Sequence, residues 1–292
     1  MDWRAVALGL FFVAAWSSAF TSARIVVADA PAFLALCVRF LISGAIALAI
    51  GWAMGQRIRL SRRQWVGVAV FGLCQNALYL GLNFEALRSV EASLAVVVAS
   101  LLPLIVAGLG RLFLGERLAP LALAGLAAGV LGVLIIMAAR LGGGADPVGL
   151  ALCFAGVLAL AVATLLVRGV SVGGNLWMVV GLQMLVGAAA LLPVSLALET
   201  WQVHWTAPLV IAFAYTTLVP GIAATMVWFV LVGRIGATRA AAFHFLNPFF
   251  GVATAALILG ERVSPRDVLG VTIIMLGILA VQIARAPGPS SR

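Results

Sequence analysis

The stretch Leu114-Gly115-Glu116-Arg117 occurs a second time, 145 residues further along the chain, as Leu259-Gly260-Glu261-Arg262. The same shift places Pro103 on Pro248 without a gap. One four-residue match alone would carry little weight, but several matches at a single offset indicate an internal repeat. The chain is therefore predicted to consist of two copies of one structural unit.

The composition indicates the class of protein. Of the 292 residues, 64% are hydrophobic and 9% are charged, and the mean hydropathy is +1.21. A soluble domain with these values would expose large apolar patches. Apolar runs of about 20 residues, the length that crosses the hydrocarbon core of a bilayer, recur along the sequence. We predict ten membrane-spanning helices. They cover residues 5–27, 32–54, 65–84, 92–110, 120–139, 147–167, 175–197, 208–232, 240–259 and 267–284.

Each half of the chain holds five of these spans. Because five is odd, the second copy must cross the membrane in the opposite direction to the first. The predicted fold is an all-α integral membrane protein, in which two inverted five-helix repeats, residues 1–143 and 144–292, surround a central cavity. This architecture is typical of secondary transporters.

The distribution of charge predicts the orientation in the membrane. All eighteen basic residues are arginines, and the net charge is +9. In a soluble chain this balance would suggest nucleic-acid binding, but here the arginines occupy loops, and most fall on one side, notably between Arg57 and Arg63. We predict that this side is cytoplasmic and that both termini lie there. The expected location is the bacterial inner (plasma) membrane, with no nucleic acid bound.

The repeated motifs resemble a known family. Asn83-Phe84-Glu85-Ala86-Leu87, Leu246-Asn247-Pro248 and the two Leu-Gly-Glu-Arg elements look like the EamA-type repeat of the drug/metabolite transporter superfamily, in both halves of the chain. The layout is most similar to the YddG-type exporters of aromatic and other amino acids. The resemblance implies a ten-helix basket with a central cavity that moves small metabolites by alternating access. The shared motifs report the fold and not the substrate.

Polar residues inside the spans are candidates for a substrate site, because a polar side chain that faces lipid is unfavourable. In the third span, Asn76, Tyr79 and Asn83 share one helical face, with Gln75 beside them. In the eighth span, Pro220-Gly221 is predicted to interrupt the helix. Such a break is tolerated beside a cavity in mid-membrane, and a simple packing kink explains it equally well.

The aromatic candidates lie in the first and eighth spans. Trp16, Ser17 and Phe20 combine two rings with a hydroxyl, a mixture that could stack on a planar side chain and hydrogen-bond an amino or carboxyl group. Core packing explains the two rings about as well. Trp228 is the repeat equivalent of Asn83, and we add it to the predicted substrate site.

The ninth span contains His244 and Asn247, three residues apart on one face. Their equivalents in the first repeat are Ala99 and Leu102, so the polar pair is specific to the second repeat. A histidine in a membrane helix can be a hydrogen-bonded packing residue or a ligand. The asymmetry between the repeats favours contact with substrate.

Arg39 is predicted to be the one ionised group well inside a span. It could hold a substrate carboxylate in a bidentate pair, or it could have a structural role, reaching the interface or bonding backbone carbonyls. No Asp or Glu is predicted deep within a span. Proton-driven multidrug exporters of related design depend on a buried carboxylate, so this pattern favours facilitated movement down the substrate gradient.

The residue sets of other function classes are not found in the sequence. Cys37, Cys74 and Cys153 show no metal-binding spacing, and no nucleophile and base converge. The chain contains no lysine that could serve a phosphate-binding loop. We therefore expect no enzyme activity, no metal and no cofactor. The alternatives that stay open are a proton-coupled multidrug or nucleotide-sugar transporter and, more remotely, a membrane-embedded enzyme or scaffold.

The predicted function is export of small neutral metabolites, above all amino acids with aromatic or other apolar side chains. The expected partners are this small-molecule substrate and the lipid bilayer, and the sequence is compatible with a monomer. Glycines within the spans are expected to allow close contact between helices. Those predicted to do so include Gly72, Gly81, Gly108, Gly125, Gly129 and Gly132.

Overall fold

Helices dominate the protein, as the long apolar runs require: in a bilayer, every backbone amide and carbonyl must find its partner within the same segment or a closed sheet. The computed structural model describes residues 3–115, 118–142, 144–166, 174–235, 240 and 243–285. No strand occurs in these ranges. The predicted all-α class is confirmed.

Ten helical segments follow one another along the described part of the chain. Those of the first half are α1 (Trp3–Asp29), α2 (Ala32–Ala53), α3 (Arg62–Phe71, Gly72–Leu80 and Gly81–Ala86), α4 (Ala92–Ala99 and Leu102–Leu114) and α5 (Pro120–Gly142). Those of the second half are α6 (Pro147–Leu166), α7 (Leu176–Leu198), α8 (Ala207–Leu218, Val219–Ala223 and Ala224–Ile235), α9 (Phe243–Leu246 and Asn247–Leu259) and α10 (Pro265–Arg285). Within the described ranges, nine of them are long and apolar enough to cross a membrane, and α9 is a shorter apolar helix.

Local sequence explains where several of these helices begin. Ser61 accepts a hydrogen bond from the amide of Gln64, and the Gln64 side chain accepts one from the amide of Ser61, so α3 starts with a capping box. Thr206 caps α8 through the amide of Leu209, at 3.2 Å. The capping box at Ser61 places the start of α3 three residues earlier than hydropathy alone predicts.

The two repeats share the same irregularities. The fourth helix of each half is irregular just before its proline: α4 breaks between Ala99 and Leu102, and α9 passes from a 3₁₀ turn into α-helix at Asn247. Pro103 and Pro248 each occupy the first turn of the helix that follows. Each helix then ends at a glycine with left-handed backbone, Gly115 at φ 64° and Gly260 at φ 68°. The glycine of the Leu-Gly-Glu-Arg motif is therefore a helix C-cap, a role that side chains with a Cβ disfavour.

A π-helical segment also recurs at equivalent positions, Gly72–Leu80 in α3 and Val219–Ala223 in α8. In α8 the cause is Pro220, which has no N–H to donate to the carbonyl of Thr216. In the i→i+5 pattern the amide of Gly221 faces that carbonyl instead. The predicted interruption at Pro220-Gly221 is thus a π turn. The segment in α3 contains no proline and was not predicted.

The chain forms two compact units, each of which takes helices from both halves. Unit 1 contains Met1–Thr21, Glu91–Pro147 and Ala223–Arg292, and unit 2 contains Ser22–Val90 and Val148–Ile222.

In unit 1, α5 packs against its repeat equivalent α10 through glycines. A Cβ on Gly125 would lie 2.6 Å from the carbonyl oxygen of Gly277, and a Cβ on Gly132 would lie 2.7 Å from that of Gly270. The repeat shift of 145 residues exchanges these two contacts, so the helices cross through equivalent positions. Close backbone approach of this kind is typical of small residues in membrane helices. By contrast, Gly108 has open space around it, so its predicted packing role is wrong.

In unit 2, α2 and α7 pack side by side, and each is capped by the segment that follows the other. The carboxylate of Glu199, just after α7, accepts hydrogen bonds from the amides of Phe33 and Leu34 at 2.8 and 2.9 Å. The side-chain oxygen of Gln56, just after α2, accepts one from the amide of Trp177 at 2.9 Å. Orphan amides at both helix starts are thereby satisfied.

The glutamate of the second Leu-Gly-Glu-Arg element has the same kind of role in unit 1. Glu261 accepts hydrogen bonds from the amides of Ala92 and Ser93, at 2.7 and 3.0 Å, at the start of α4. A carboxylate at a helix N-terminus also interacts favourably with the helix dipole. Its counterpart Glu116 and the adjacent Arg117 lie outside the described residues.

Candidate functional site

A cluster of four rings lies in unit 1, where α1, α8 and α9 meet. The ring of Phe12 is 5.8 Å from that of Trp16, 4.9 Å from that of Trp228 and 5.2 Å from that of His244, centroid to centroid. Trp228 and His244 are themselves 5.2 Å apart. These separations are those at which aromatic pairs attract. Phe12 is 2% exposed, whereas the other three rings are half-buried.

One hydroxyl group and one carboxamide group extend the cluster on its polar side. Ser17 donates its hydroxyl to Oδ1 of Asn247 at 3.4 Å, and Nδ2 of Asn247 lies 3.0 Å from Nδ1 of His244. Because the Asn247 oxygen is used by Ser17, its NH₂ group is the donor to His244. With this carboxamide orientation, Nδ1 of the imidazole is the acceptor, which corresponds to the tautomer with its proton on Nε2.

Local backbone geometry explains how His244 and Asn247 come together. Residues Phe243–Leu246 form a 3₁₀ turn that leads directly into the helix starting at Asn247. Side chains at positions i and i+3 eclipse one another in a 3₁₀ turn, so the two polar groups lie on one edge. The prediction that they share a face agrees with this geometry.

The contribution of α1 follows from helical spacing. Phe12 and Trp16 are four residues apart, and Ser17 is adjacent, so one face of α1 supplies two rings and a hydroxyl. Phe20 lies one further turn along and is buried. The sequence reasoning missed Phe12, the central ring of the cluster, although its spacing of four residues from Trp16 could have revealed it.

The polar face predicted on α3 belongs to unit 2 and is engaged in helix packing. Asn76 donates to the backbone carbonyl of Gln183 on α7 at 2.8 Å, and Asn83 donates to the carbonyl of Tyr79 at 2.7 Å. All three predicted residues are buried, and Gln75 is half-buried. Side-chain oxygen Oδ1 of Asn83 is buried and has no hydrogen-bond partner.

The predicted arginine is also in unit 2. Arg39 lies in the middle of α2 and is 7% exposed. The ring of the neighbouring Phe40 lies against its guanidinium, with 5.6 Å between the ring centroid and Cζ of Arg39.

The ring cluster has one apolar and one polar side. Half-buried indole and imidazole rings can stack on a planar or apolar group, while Asn247 and the Nε2–H of His244 can orient an amino or carboxyl group. Across the part of the chain that the structure describes, no three His, Cys, Asp or Glu residues are grouped so as to hold a metal ion. The arrangement is suited to reversible binding of an amphipathic small molecule.

Comparison with known proteins identifies the family. The sequence model of the EamA-like transporter family matches residues 3–138 and again residues 147–282. This chain belongs to the EamA-like transporter family. The family predicted from the repeated motifs is thereby confirmed, and the protein is a multi-pass membrane transporter built from two EamA repeats.

Two similar proteins carry names that mention amino acids. The "Probable amino-acid metabolite efflux pump" of Escherichia coli (strain K12) is 25% identical over 284 residues, which cover 93% of this chain and 92% of that one. The "Aromatic amino acid exporter YddG" of Ancylobacter novellus is 34% identical over 113 residues, 39% of each chain. A protein of known crystal structure, 24% identical, has the same fold, with a TM-score of 0.68 over 98% of this chain and 99% of its own.

Proposed function

We propose that this EamA transporter exports small neutral amino acids, chiefly those with aromatic or other apolar side chains, by alternating access. The observation that carries the proposal is the cluster of Phe12, Trp16, Trp228 and His244 with its hydrogen-bonded chain to Asn247 and Ser17. Stacking selects an apolar or planar side chain, and the amide and imidazole N–H groups select the polar end of the ligand.

Names of relatives support the same substrate class. One relative that aligns along almost the whole chain is named for efflux of amino-acid metabolites, and another, with higher identity over a shorter segment, is named for export of aromatic amino acids. We propose that Trp16, Ser17, Phe20, Trp228, His244 and Asn247 are the substrate-binding set in unit 1. Gln75, Asn76, Tyr79 and Asn83 in unit 2 remain a second proposed set.

Transport is proposed to be facilitative. Binding and release at the ring cluster require no change of charge on the protein, because the hydrogen-bond chain is complete with a neutral imidazole. We further propose that the protein sits in the bacterial inner membrane with both termini in the cytoplasm, as the loop arginines indicate, and that it works as a monomer.

One observation favours a second candidate. His244 is the only imidazole in the ring cluster, and protonation of its Nδ1 would oblige the Asn247 carboxamide to rotate and present its oxygen. A proton-coupled exporter, for multidrug or nucleotide-sugar substrates, would use such a change to link proton uptake to substrate release.

Flux measurements in proteoliposomes separate these candidates. Purified protein is reconstituted, and uptake of tryptophan, phenylalanine, threonine and lysine is followed with and without a pH gradient. We expect flux of the neutral amino acids that is independent of the gradient, and little flux of lysine. Flux that appears only with the gradient would establish the proton-coupled mechanism. No flux of any of the four would overturn the amino-acid proposal.

A further inference from the structure

Two buried polar groups of α2 lack partners among the residues that the structure describes. Arg39 is 7% exposed and its Nε has no hydrogen-bond acceptor, and Ser43 is 1% exposed and its Oγ has no partner. The two residues are four positions apart, so they lie on the same face of the helix. Burial of a guanidinium nitrogen and a hydroxyl without partners is strongly unfavourable, so this pair needs an explanation.

Both groups face the π turn of α8. A Cβ built on Gly221 would lie 3.5 Å from Nη2 of Arg39 and 3.5 Å from Oγ of Ser43. Glycine at this position leaves bare backbone beside the guanidinium, where a larger side chain would occupy the space. π turns inside helices are frequently found at functional sites.

The charge of Arg39 has no counter-ion within unit 2. This unit contains three carboxylates, and each is engaged elsewhere: Asp29 with Thr206, Glu85 with Arg88, and Glu199 with the helix start of α2. The ring of Phe40 gives Arg39 a weak cation–π contact but no acceptor for its N–H groups. A buried cation without a counter-ion is unstable relative to one that is paired.

We propose that Arg39 and Ser43 form a binding site for a carboxylate. The guanidinium offers a planar fork of N–H donors that matches the two carboxylate oxygens, and the Ser43 hydroxyl supplies a third donor from the same face. The inference rests on the proposed function in one respect: the carboxylate of an exported amino acid is the natural occupant. A free monovalent anion such as chloride has the same charge and would use the same donors.

Thermal unfolding of the purified full-length protein tests the site without any transport assay. The melting temperature is measured first in low-salt buffer and then with sodium acetate or sodium chloride added to the same ionic strength, for the wild type, Arg39→Gln, Arg39→Lys and Ser43→Ala. The matched control is Arg88→Gln, because Arg88 is an exposed arginine of the same unit, paired with Glu85 at 3.0 Å.

We expect acetate to raise the melting temperature of the wild type and of Arg88→Gln above the value in chloride. The increment should vanish in Arg39→Gln and shrink in Arg39→Lys and Ser43→Ala. Equal stabilisation by both anions, lost in Arg39→Gln, would assign the site to free monovalent anions. An identical response of wild type and Arg39→Gln, or no response of the wild type to either anion, would overturn the site. Because Arg39→Lys retains the charge, it keeps the test valid if Arg39→Gln does not fold.

A ligand series then distinguishes this inference from the proposed function. Binding of tryptophan and of tryptophanamide, which lacks the carboxylate, is compared in wild type and Arg39→Gln. We expect Arg39→Gln to weaken tryptophan binding at least tenfold and to leave tryptophanamide binding unchanged. An equal loss for both ligands would show a purely structural role for Arg39. Failure of the wild type to bind either ligand would overturn the proposed function, and the acetate experiment would still decide the anion site.

Discussion

Asn247 donates its carboxamide N–H to Nδ1 of His244 at 3.0 Å, and Ser17 donates to the oxygen of the same carboxamide. This short chain favours the tautomer of His244 that accepts at Nδ1 and carries its proton on Nε2. The first repeat has Ala99 and Leu102 at the equivalent positions, so only the second repeat carries the pair. Two single-residue differences between the repeats thus create this polar pair.

The coupling of this pair gives the first prediction. In Asn247→Leu, His244 loses its donor, and a buried group left without its partner costs about 1–3 kcal/mol. The double variant His244→Ala, Asn247→Leu, which copies the first repeat, should be less destabilised than the sum of the two single variants. Thermal unfolding of the four proteins measures the coupling, and additive effects would contradict the contact. Tryptophan flux should be lost in both variants of Asn247.

The ring cluster gives a second prediction. Trp228 makes tilted ring contacts with Phe12 and His244, and aromatic pairs of this kind contribute about 0.5–1.5 kcal/mol each. Replacement by alanine should therefore lower the affinity for tryptophan roughly tenfold, with a smaller effect on threonine. Trp205→Ala is the matched control, since Trp205 is 80% exposed. Equal losses in the two variants, measured by tryptophan binding, would exclude the cluster as the substrate site.

The cap on α2 gives a third prediction. Glu199 binds two backbone amides, and hydrogen bonds to a charged group contribute about 1.5–3 kcal/mol to stability. Glu199→Ala should lower the melting temperature by several degrees. Glu85→Ala removes an exposed ion pair that contributes about 0–1 kcal/mol, and it should change the melting temperature little. A larger drop in melting temperature for Glu85→Ala than for Glu199→Ala would contradict the capping role.

The crossing of α5 and α10 gives a fourth prediction. A Cβ on Gly125 would meet a backbone carbonyl at 2.6 Å, and backbone cannot move aside as a flexible side chain can. Gly125→Ala should therefore be destabilised by about 1–3 kcal/mol, the usual range for overpacking. Gly108→Ala adds the same methyl group in open space, where alanine is a better helix former than glycine, so it should be neutral or stabilised. Thermal unfolding of the two variants compares them directly.

Much of the architecture could be predicted because it depends on features that are local in the sequence. Each of the ten apolar runs is set by residues close to one another in the chain, and so are the proline and glycine positions of α4 and α9. The 145-residue repeat follows from comparing such local motifs along the sequence. Hydropathy finds spans because burial in lipid acts on each segment separately. The hydrophobic pattern did not reveal the π segment of α3, since no residue in Gly72–Leu80 forces the backbone as Pro220 does in α8.

The site was predicted only in part. Spacing alone placed His244 beside Asn247, because the two are three residues apart. Trp16, Ser17 and Trp228 were named as candidates, but the sequence could not predict that they lie near this pair. Ser17 and Asn247 are separated by 230 residues. Only packing of α1 against α8 and α9 brings these groups together, and the same packing makes Phe12 the centre of the cluster.

The sequence by itself determined the class, the number of helices, the repeat and the family, because each depends on composition or on motifs read along one chain. The tertiary structure alone decided which groups find partners. Glu199 and Gln56 became helix caps for segments more than 100 residues away, while Arg39 and Ser43 were left without partners beside Gly221. A hydrogen bond acts over about 3 Å, so its existence depends on how distant segments pack and cannot be inferred from either segment alone.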